Sequence, residues 1–264
     1  MDQDQGGPSA TPAGPTAPMP EGAEQPGQTS RPHYAPGVSA TIPAITEPLS
    51  RMLDDAARDY PERVALDFLG ATTTYERLAR QVARAAGALR GLGVKPGDVV
   101  GLILPNCPQH VILAYAAWRI GAIVAEHNPL APAAQIREQI EIHQGGVIIA
   151  WEKTIARLVA ATGSLAEASL DDRQVFSVDL SRRLPLTSRL ALKLPVAAAR
   201  SQRHELRGQV PAGVRSWDDF VAASPLLPEG HPLAAGAAPV PVTRLSGERL
   251  ITMRRTSQLW AITD

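Results

Sequence analysis

Cysteine is nearly missing from this chain of 264 residues. Cys107 stands alone, which excludes an internal disulfide and a CxxC metal motif and fits a reducing compartment. It follows Pro105-Asn106 at the end of an apolar run, where a small packed residue is expected rather than a nucleophile. Lysine is also scarce, occurring only at Lys95, Lys153 and Lys193, so arginine carries nearly all the positive charge. Aromatic residues make up 4%, against 24 prolines and 21 glycines, a bias that points to a GC-rich coding sequence more than to a function. The formal net charge is zero, from 26 basic and 26 acidic residues, so no global field selects nucleic acid or acidic partners. Long apolar runs are missing too. The most apolar stretch, Val111 to Trp118, is stopped by Arg119, well short of the roughly 18–20 residues of a spanning helix. The first thirty residues lack Lys and Arg before Arg31 and lack the apolar region of a signal peptide. A cytoplasmic protein, soluble or peripheral at the inner face of the membrane, is therefore expected.

The length suits one large core or two small ones. Residues 1–30 are rich in Pro, Gly, Ala, Gln and Thr, and cannot bury enough apolar surface to offset chain entropy, which predicts a disordered tail. From Glu47 a helical pattern places Leu49, Met52, Leu53, Ala56 and Ala57 on one face until Pro61. Val64, Leu66 and Phe68 then alternate with Ala65, Asp67 and Leu69, and Gly70 turns the chain into Thr72-Thr73-Thr74, a short strand pair. Thr73 and Glu76 have capping-box spacing before a helix with a stripe of Leu78, Val82, Ala85, Ala86 and Leu89, stopped at Gly91 and Gly93. Gly87 and Gly91 match GxxxG, which here predicts ordinary close packing.

Val99 to Leu104 is a continuous apolar run, as in a strand covered on both faces of a parallel sheet. Helices over about 109–120 and 132–143 alternate with strands at 122–125 and 146–150. That alternation predicts an α/β fold, a parallel or mixed sheet flanked by helices and joined by right-handed crossovers. Weaker elements follow: helices near 154–161 and 216–223, and a strand near 174–178. After about Ala234 the periodicity fades, so residues 31–234 are taken as the folded region and 235–264 as an atypical tail.

Five blocks, in order, carry a resemblance. Thr73-Thr74-Tyr75-Glu76-Arg77-Leu78 opens a helix, and Val94-Lys95-Pro96-Gly97-Asp98-Val99-Val100 turns into a strand. Leu104-Pro105-Asn106 ends that strand, Trp118-Arg119-Ile120-Gly121-Ala122 joins helix to strand, and His127-Asn128-Pro129-Leu130 follows. Together they resemble the amino-terminal subdomain of the AMP-forming acyl-CoA synthetase superfamily, over about Leu49 to Trp151. Tyr34-Ala35-Pro36-Gly37-Val38 and Leu190 to Val196 look most like bacterial long-chain fatty acid CoA ligases. The blocks make sense as architecture: Gly97 permits a tight turn, Asp98 can bond local backbone, and Gly121 ends a helix against the next strand.

The resemblance implies activation of a fatty acid with ATP and Mg²⁺ to an acyl-adenylate, then transfer to CoA. It also implies a loop rich in Gly, Ser and Thr, shortly after His231-Pro232-Leu233, whose N–H groups hold phosphate. The chain has Ser246-Gly247-Glu248-Arg249 and Arg254-Arg255-Thr256-Ser257 instead, neither with the glycine spacing of a phosphate cradle. No catalytic, cofactor-binding or metal-binding residue is therefore assigned. A fragment, a shifted reading frame beyond about Ala234, or a noncatalytic relative acting as a binding or membrane-associating module are the alternatives to a working ligase.

His33, His110, His127, His143, His204 and His231 show no metal-ligand spacing, and GxSxG and GxGxxG are absent. One local feature stands out. Arg182, Arg183, Arg189, Lys193, Arg200, Arg203 and Arg207 face Glu205 alone along the sequence, interleaved with Leu184, Leu186, Leu190, Leu192, Leu194 and Val196. Such a stretch suits an anionic membrane surface. It suits better a solvated helix–loop segment whose leucines turn inward, because Pro185 and Pro195 interrupt any long amphipathic helix. Nucleic acid is disfavoured, since no aromatic side chain is present there to stack bases.

Overall fold

A computed structural model describes residues 49–227. The expected tail at 1–30, the stretch 235–264, Tyr34–Val38, the Ser246 and Arg254 segments, His33 and His231 all lie outside the described residues. The chain enters through α1 (Ser50–Asp59), an antiparallel hairpin of β1 (Val64–Phe68) and β2 (Ala71–Thr74), and α2 (Tyr75–Gly91). The alternating core follows: β3 (Val99–Ile103), α3 (Pro108–Arg119), β4 (Ile123–Glu126), α4 (Ala133–His143), β5 (Val147–Trp151) and α5 (Glu152–Thr162). Then come β6 (Gln174–Val178), a 3-10 turn at Leu180–Arg183, α6 (Leu186–Ala191), α7 (Ala197–Leu206), β7 (Arg215–Ser216) and α8 (Trp217–Ala223). All neighbouring strands of the five-stranded sheet, in the order β4-β3-β5-β6-β7, run parallel.

Strand periodicity divides two apolar clusters between the sheet's faces. Val100, Leu102, Val147, Ile149 and Phe176 belong to the larger cluster with Leu78, Val82 and Leu89 of α2 and Leu113 of α3. Ile103, Ile148, Ala150 and Val175 belong to the second, with Ile136 and Ile140 of α4 and Ile155 and Leu158 of α5. The parallel strands are thus covered on both sides, which is why they read as unbroken apolar runs.

Several local expectations need correction. The helix cap is Thr74, whose hydroxyl accepts from the Arg77 N–H at 3.4 Å, one residue beyond the expected Thr73, and Glu76 pairs with Arg80 at 2.7 Å instead of reaching back. Met52 is exposed, since Leu53 alone of the α1 stripe is deeply buried and Asp54 pairs with Arg119 beside it. Val64 is exposed because the hairpin register shifts between Val64 and Leu66, and Leu69 sits in the turn rather than in the strand. Gly87 has a specific cause: a Cβ there would lie 2.3 Å from the Pro225 carbonyl oxygen. The chain's return across α2, closed by a Leu227 N–H to Ala83 carbonyl bond of 3.1 Å, requires it.

Candidate functional site

Open α/β sheets bind ligands outside the carboxyl ends of their strands, where the strand order reverses. Here that point lies between β3 and β5, because β4 lies on one side of β3 and β5 on the other. The loop after β3 is Leu104-Pro105-Asn106-Cys107, leading into Pro108 at the start of α3. β5 passes from Trp151 directly into Glu152 of α5 without an intervening loop. β6 ends at Val178, and Asp179 follows.

Charged groups fill this edge. Glu152 and Asp179 are both buried, and the guanidinium of Arg207 spans them. Arg207 Nε and Nη2 meet the two Glu152 oxygens at 3.1 and 3.2 Å, and Nε lies 3.3 Å from Asp179 Oδ2. Asp179 Oδ1 also accepts from the Ser181 N–H and hydroxyl at 2.9 and 2.6 Å, starting the 3-10 turn. From that turn Arg182 grips Asp219 through both nitrogens at 2.5 and 2.9 Å, and Arg183 reaches Asp218 at 3.1 Å. Hydrogen bonding to Glu152 raises the Arg207 pKa, bonding to Asp219 raises that of Arg182, and the Asp219 carboxyl is held below its ordinary range by Arg182. Gly208 completes the closure, since a Cβ there would sit 2.6 Å from the Glu152 carbonyl oxygen.

The seven cations of residues 182–207 therefore divide. Arg182, Arg183 and Arg207 are committed to carboxylates from distant parts of the chain, so a uniformly cationic surface is not formed. Arg203 donates to the Leu192 and Leu194 carbonyls. Arg189, Lys193 and Arg200 point outward. Glu205, the one acid of the stretch, pairs at 2.7 Å with Lys153 outside it, which lowers its pKa. The leucines divide as well: Leu184 and Leu192 are buried, whereas Leu186, Leu190 and Leu194 are exposed.

Beside this network a cleft of about 360 Å³ opens between α2, α3 and α8, lined by Arg77, Arg80, Arg84, Gln81, Gln109 and Asp218 among others. Gln81 Oε1, Gln109 Oε1 and Asp218 Oδ2 are buried there without a protein partner, so its floor accepts hydrogen bonds beneath a cationic rim.

A second arrangement escaped the sequence reading. His127, after β4, and His143, at the end of α4, meet with Nε2 atoms 3.0 Å apart. His143 Nδ1 accepts from the Gly145 N–H at 2.9 Å, so its Nε2 carries the proton and donates to His127. His127 then donates from Nδ1 to Gln139 Oε1 at 2.9 Å. Every ring nitrogen is used with both histidines neutral. Burial lowers both pKa values, and His143, also facing His127 and Arg173, is pushed down to about 3. Gly101 makes room for the pair, because a Cβ there would lie 3.3 Å from the His143 ring. Residues 127 and 143 share no helix face or strand, and hence no periodicity announced the contact.

The remaining motif residues are architectural. Asp98 Oδ2 accepts from the Lys95 N–H at 2.8 Å, Gly97 and Gly121 adopt φ of 100° and 76°, and Asn128 Oδ1 accepts from the Leu130 N–H at 2.9 Å. Cys107 is buried, and burial pushes its thiol up to about 11, so it holds its proton. Among the described residues no group of three or more His, Cys, Asp or Glu is arranged to hold a metal, and no helix is long and apolar enough to cross a membrane.

The edge does not fit an ATP phosphate chain. Pro105 and Pro108 remove N–H donors from the loop after β3, and the first turn after β5 carries the buried Glu152 carboxylate, which repels phosphate. Glu152 and Asp179 are occupied by Arg207, which leaves neither free for Mg²⁺.

Comparison with known proteins adds the following. A sequence profile described as AMP-binding enzyme matches residues 53–205. A long-chain-fatty-acid–CoA ligase of Bacillus subtilis (strain 168) is 32% identical over 116 residues, covering 44% of this chain and 21% of that protein. Salicyl-AMP ligase / salicyl-S-ArCP synthetase of Mycobacterium tuberculosis is 40% identical over 93 residues, covering 33% and 16%. Triostin synthetase I of Streptomyces triostinicus is 45% identical over 79 residues, covering 30% and 15%. The matched part spans about a fifth or less of these relatives' length. Among solved structures, Mycobacterium smegmatis MbtA superposes with a TM-score of 0.54 at 23% identity, over 81% of this chain and 34% of that one. An anthranilate CoA ligase, AuaEII, in complex with anthranoyl-AMP gives 0.57 at 14%, over 81% and 35%. These two likenesses show the fold.

Proposed function

Because this chain belongs to the AMP-binding enzyme family, we propose that its residues serve an adenylate-forming ligase that joins a carboxylic acid to CoA. ATP, Mg²⁺ and CoA are the co-substrates and metal of that reading, and a long-chain fatty acid is the acid we favour. The match of residues 53–205 carries the reading. The preference for a fatty acid rests on the Bacillus subtilis relative. Aryl-acid and synthetase relatives match at higher identity over shorter stretches, so the acid is the part most in need of experiment. On this reading residues 49–227 supply framework. They hold the sheet, close its carboxyl edge with the Glu152–Arg207–Asp179 cluster, and leave nucleotide and metal to groups outside that span.

A second reading has a specific observation behind it. The carboxyl edge is closed by ion pairs and does not fit phosphate, so on this reading residues 49–227 act as a noncatalytic module. Removing a single preorganised donor costs roughly 100–1000-fold in rate, and among the described residues no phosphate cradle is assembled. The deciding experiment is acid-dependent exchange of labelled pyrophosphate into ATP. It is run on the 264-residue chain and on the product of the coding DNA read past His231 in whichever frame supplies a glycine-rich loop. Exchange with palmitate by the longer product alone supports the ligase reading and makes the 264-residue chain its framework. Absence of such a loop in every frame over the next few hundred bases sinks the ligase reading and leaves the module. Exchange by the 264 residues alone overturns the module reading.

A further inference from the structure

Leucine on the water-facing side of a helix costs a chain solubility unless something covers it. Residues 184–206 form two short helices, α6 and α7, joined by a turn at 192–196. Leu184, Leu192 and Ala199 pack inward. On the opposite side Leu186 and Leu190 are 72% and 63% exposed, and Leu194 and Val196, in the turn, are 52% and 50% exposed. Helical spacing places Arg189 on the same side of α6 as Leu186 and Leu190, exposed Lys193 follows in the turn, and exposed Arg200 lies on α7. Among the described residues none of the three cations has a carboxylate partner, in contrast to Arg182, Arg183 and Arg207. The turn is built rather than loose: Arg203 donates to the Leu192 and Leu194 carbonyls and Arg200 to that of Pro195 at 3.2 Å, holding the apolar side chains outward.

A second element leads to the same place. The β1–β2 turn stands beside Pro185, since a Cβ on Gly70 would lie 3.8 Å from Pro185 Cγ. That turn presents Leu69, 69% exposed at a φ of 53°, in the left-handed region that costs a non-glycine residue roughly 1 kcal/mol. Neither backbone preference nor burial explains a leucine there.

We propose that this face, Leu69, Leu186, Leu190, Leu194 and Val196 with Arg189, Lys193 and Arg200, docks on the surface of an anionic lipid bilayer. Apolar side chains enter the boundary between headgroups and acyl chains while cations meet lipid phosphates, and long cationic side chains span both layers. A second copy of the chain would cover the leucines but would bring three like charges with it. The inference stands apart from the ligase reading, since it needs neither nucleotide nor acid.

The test is co-sedimentation of the full 264-residue chain with vesicles of phosphatidylcholine alone and of phosphatidylcholine with phosphatidylglycerol. Binding is expected only to the second, and salt at about 0.5 M releases it, because screening shortens the reach of charge below the ~8 Å of physiological salt. Each cation near an anionic surface contributes about fivefold, so R189E/K193E/R200E weakens partitioning at least about 100-fold. L190S/L194S weakens it about tenfold by removing apolar insertion. All these positions are exposed, so melting temperatures stay at the wild-type value, which separates lost binding from lost fold. Equal binding to both vesicle types, or undiminished binding by the triple variant, overturns the proposal. So does a concentration-dependent dimer in ultracentrifugation that L190S/L194S dissolves.

Discussion

Residues 99–151 and 180–207 are both rich in aliphatic side chains, yet they are held by different forces. In the first, strand and helix periods place Val100, Leu102, Val147 and Ile149 on one face of the sheet and Ile103, Ile148 and Ala150 on the other. Apolar burial organises these strand side chains. In the second, Arg182, Arg183 and Arg207 are anchored by acids at 152, 179, 218 and 219, and the leucines left over face water. Charge read along a chain therefore misjudges charge in space. Seven cations against one acid become three locked pairs, one backbone brace and three outward cations.

Phe176 of β6 is fully buried, with Trp217 and Phe220 of α8 at ring distances of 5.4 and 5.0 Å and Arg215 over its face. Phe176→Ala is expected to cost about 3–5 kcal/mol in urea denaturation, the largest single effect here. A cost below about 1 kcal/mol would mean that α8 does not seal the sheet. Arg207→Ala comes next at about 2–3 kcal/mol, because it leaves Glu152 buried without its ion-pair partner and Asp179 with only Arg182, at 4.0 Å.

The histidine pair sharpens the contrast through pH. In the folded chain His143 stays neutral down to about 3, whereas unfolded it protonates near 6.5. The unfolded state thus binds more protons as pH falls below about 6.5, and stability falls with it. Between pH 7 and 5 the loss is on the order of 2 kcal/mol, read as a declining melting temperature. His143→Gln keeps a donor for His127 Nε2 and is expected to flatten that decline. An unchanged pH profile would separate the pair from acid sensitivity. Smallest of all, Arg189→Ala is expected to change stability by less than about 0.5 kcal/mol by the same denaturation measurement, since its charge faces water.

Much of the sheet was legible because its signals are local. Val99–Ile103 and Val147–Trp151 announce covered strands by composition, and Gly97 and Gly121 mark turns whose φ values require them. The Arg77–Leu78 block and its neighbours pointed to the family through order and spacing. What escaped depends on pairs separated by many residues. Glu152 and Arg207 are 55 apart, Arg182 and Asp219 are 37 apart, and His127 and His143 are 16 apart across a helix turn. No helical or strand period links such positions. The cap at Thr74 shows the finer limit, since three threonines in a row offer one chemistry at three registers.

The central claim is that the buried cluster at the carboxyl edge anchors residues 180–207, while other charges of that segment are surface features. Two ion pairs of the same span test it: Glu152–Arg207, whose acid is buried, and Lys153–Glu205, whose acid is exposed. Double-mutant cycles to alanine, followed by urea denaturation, measure the coupling within each pair. The account predicts about 2 kcal/mol or more for Glu152–Arg207 and under about 1 kcal/mol for Lys153–Glu205. Equal couplings, or a stronger one at Lys153–Glu205, would contradict it.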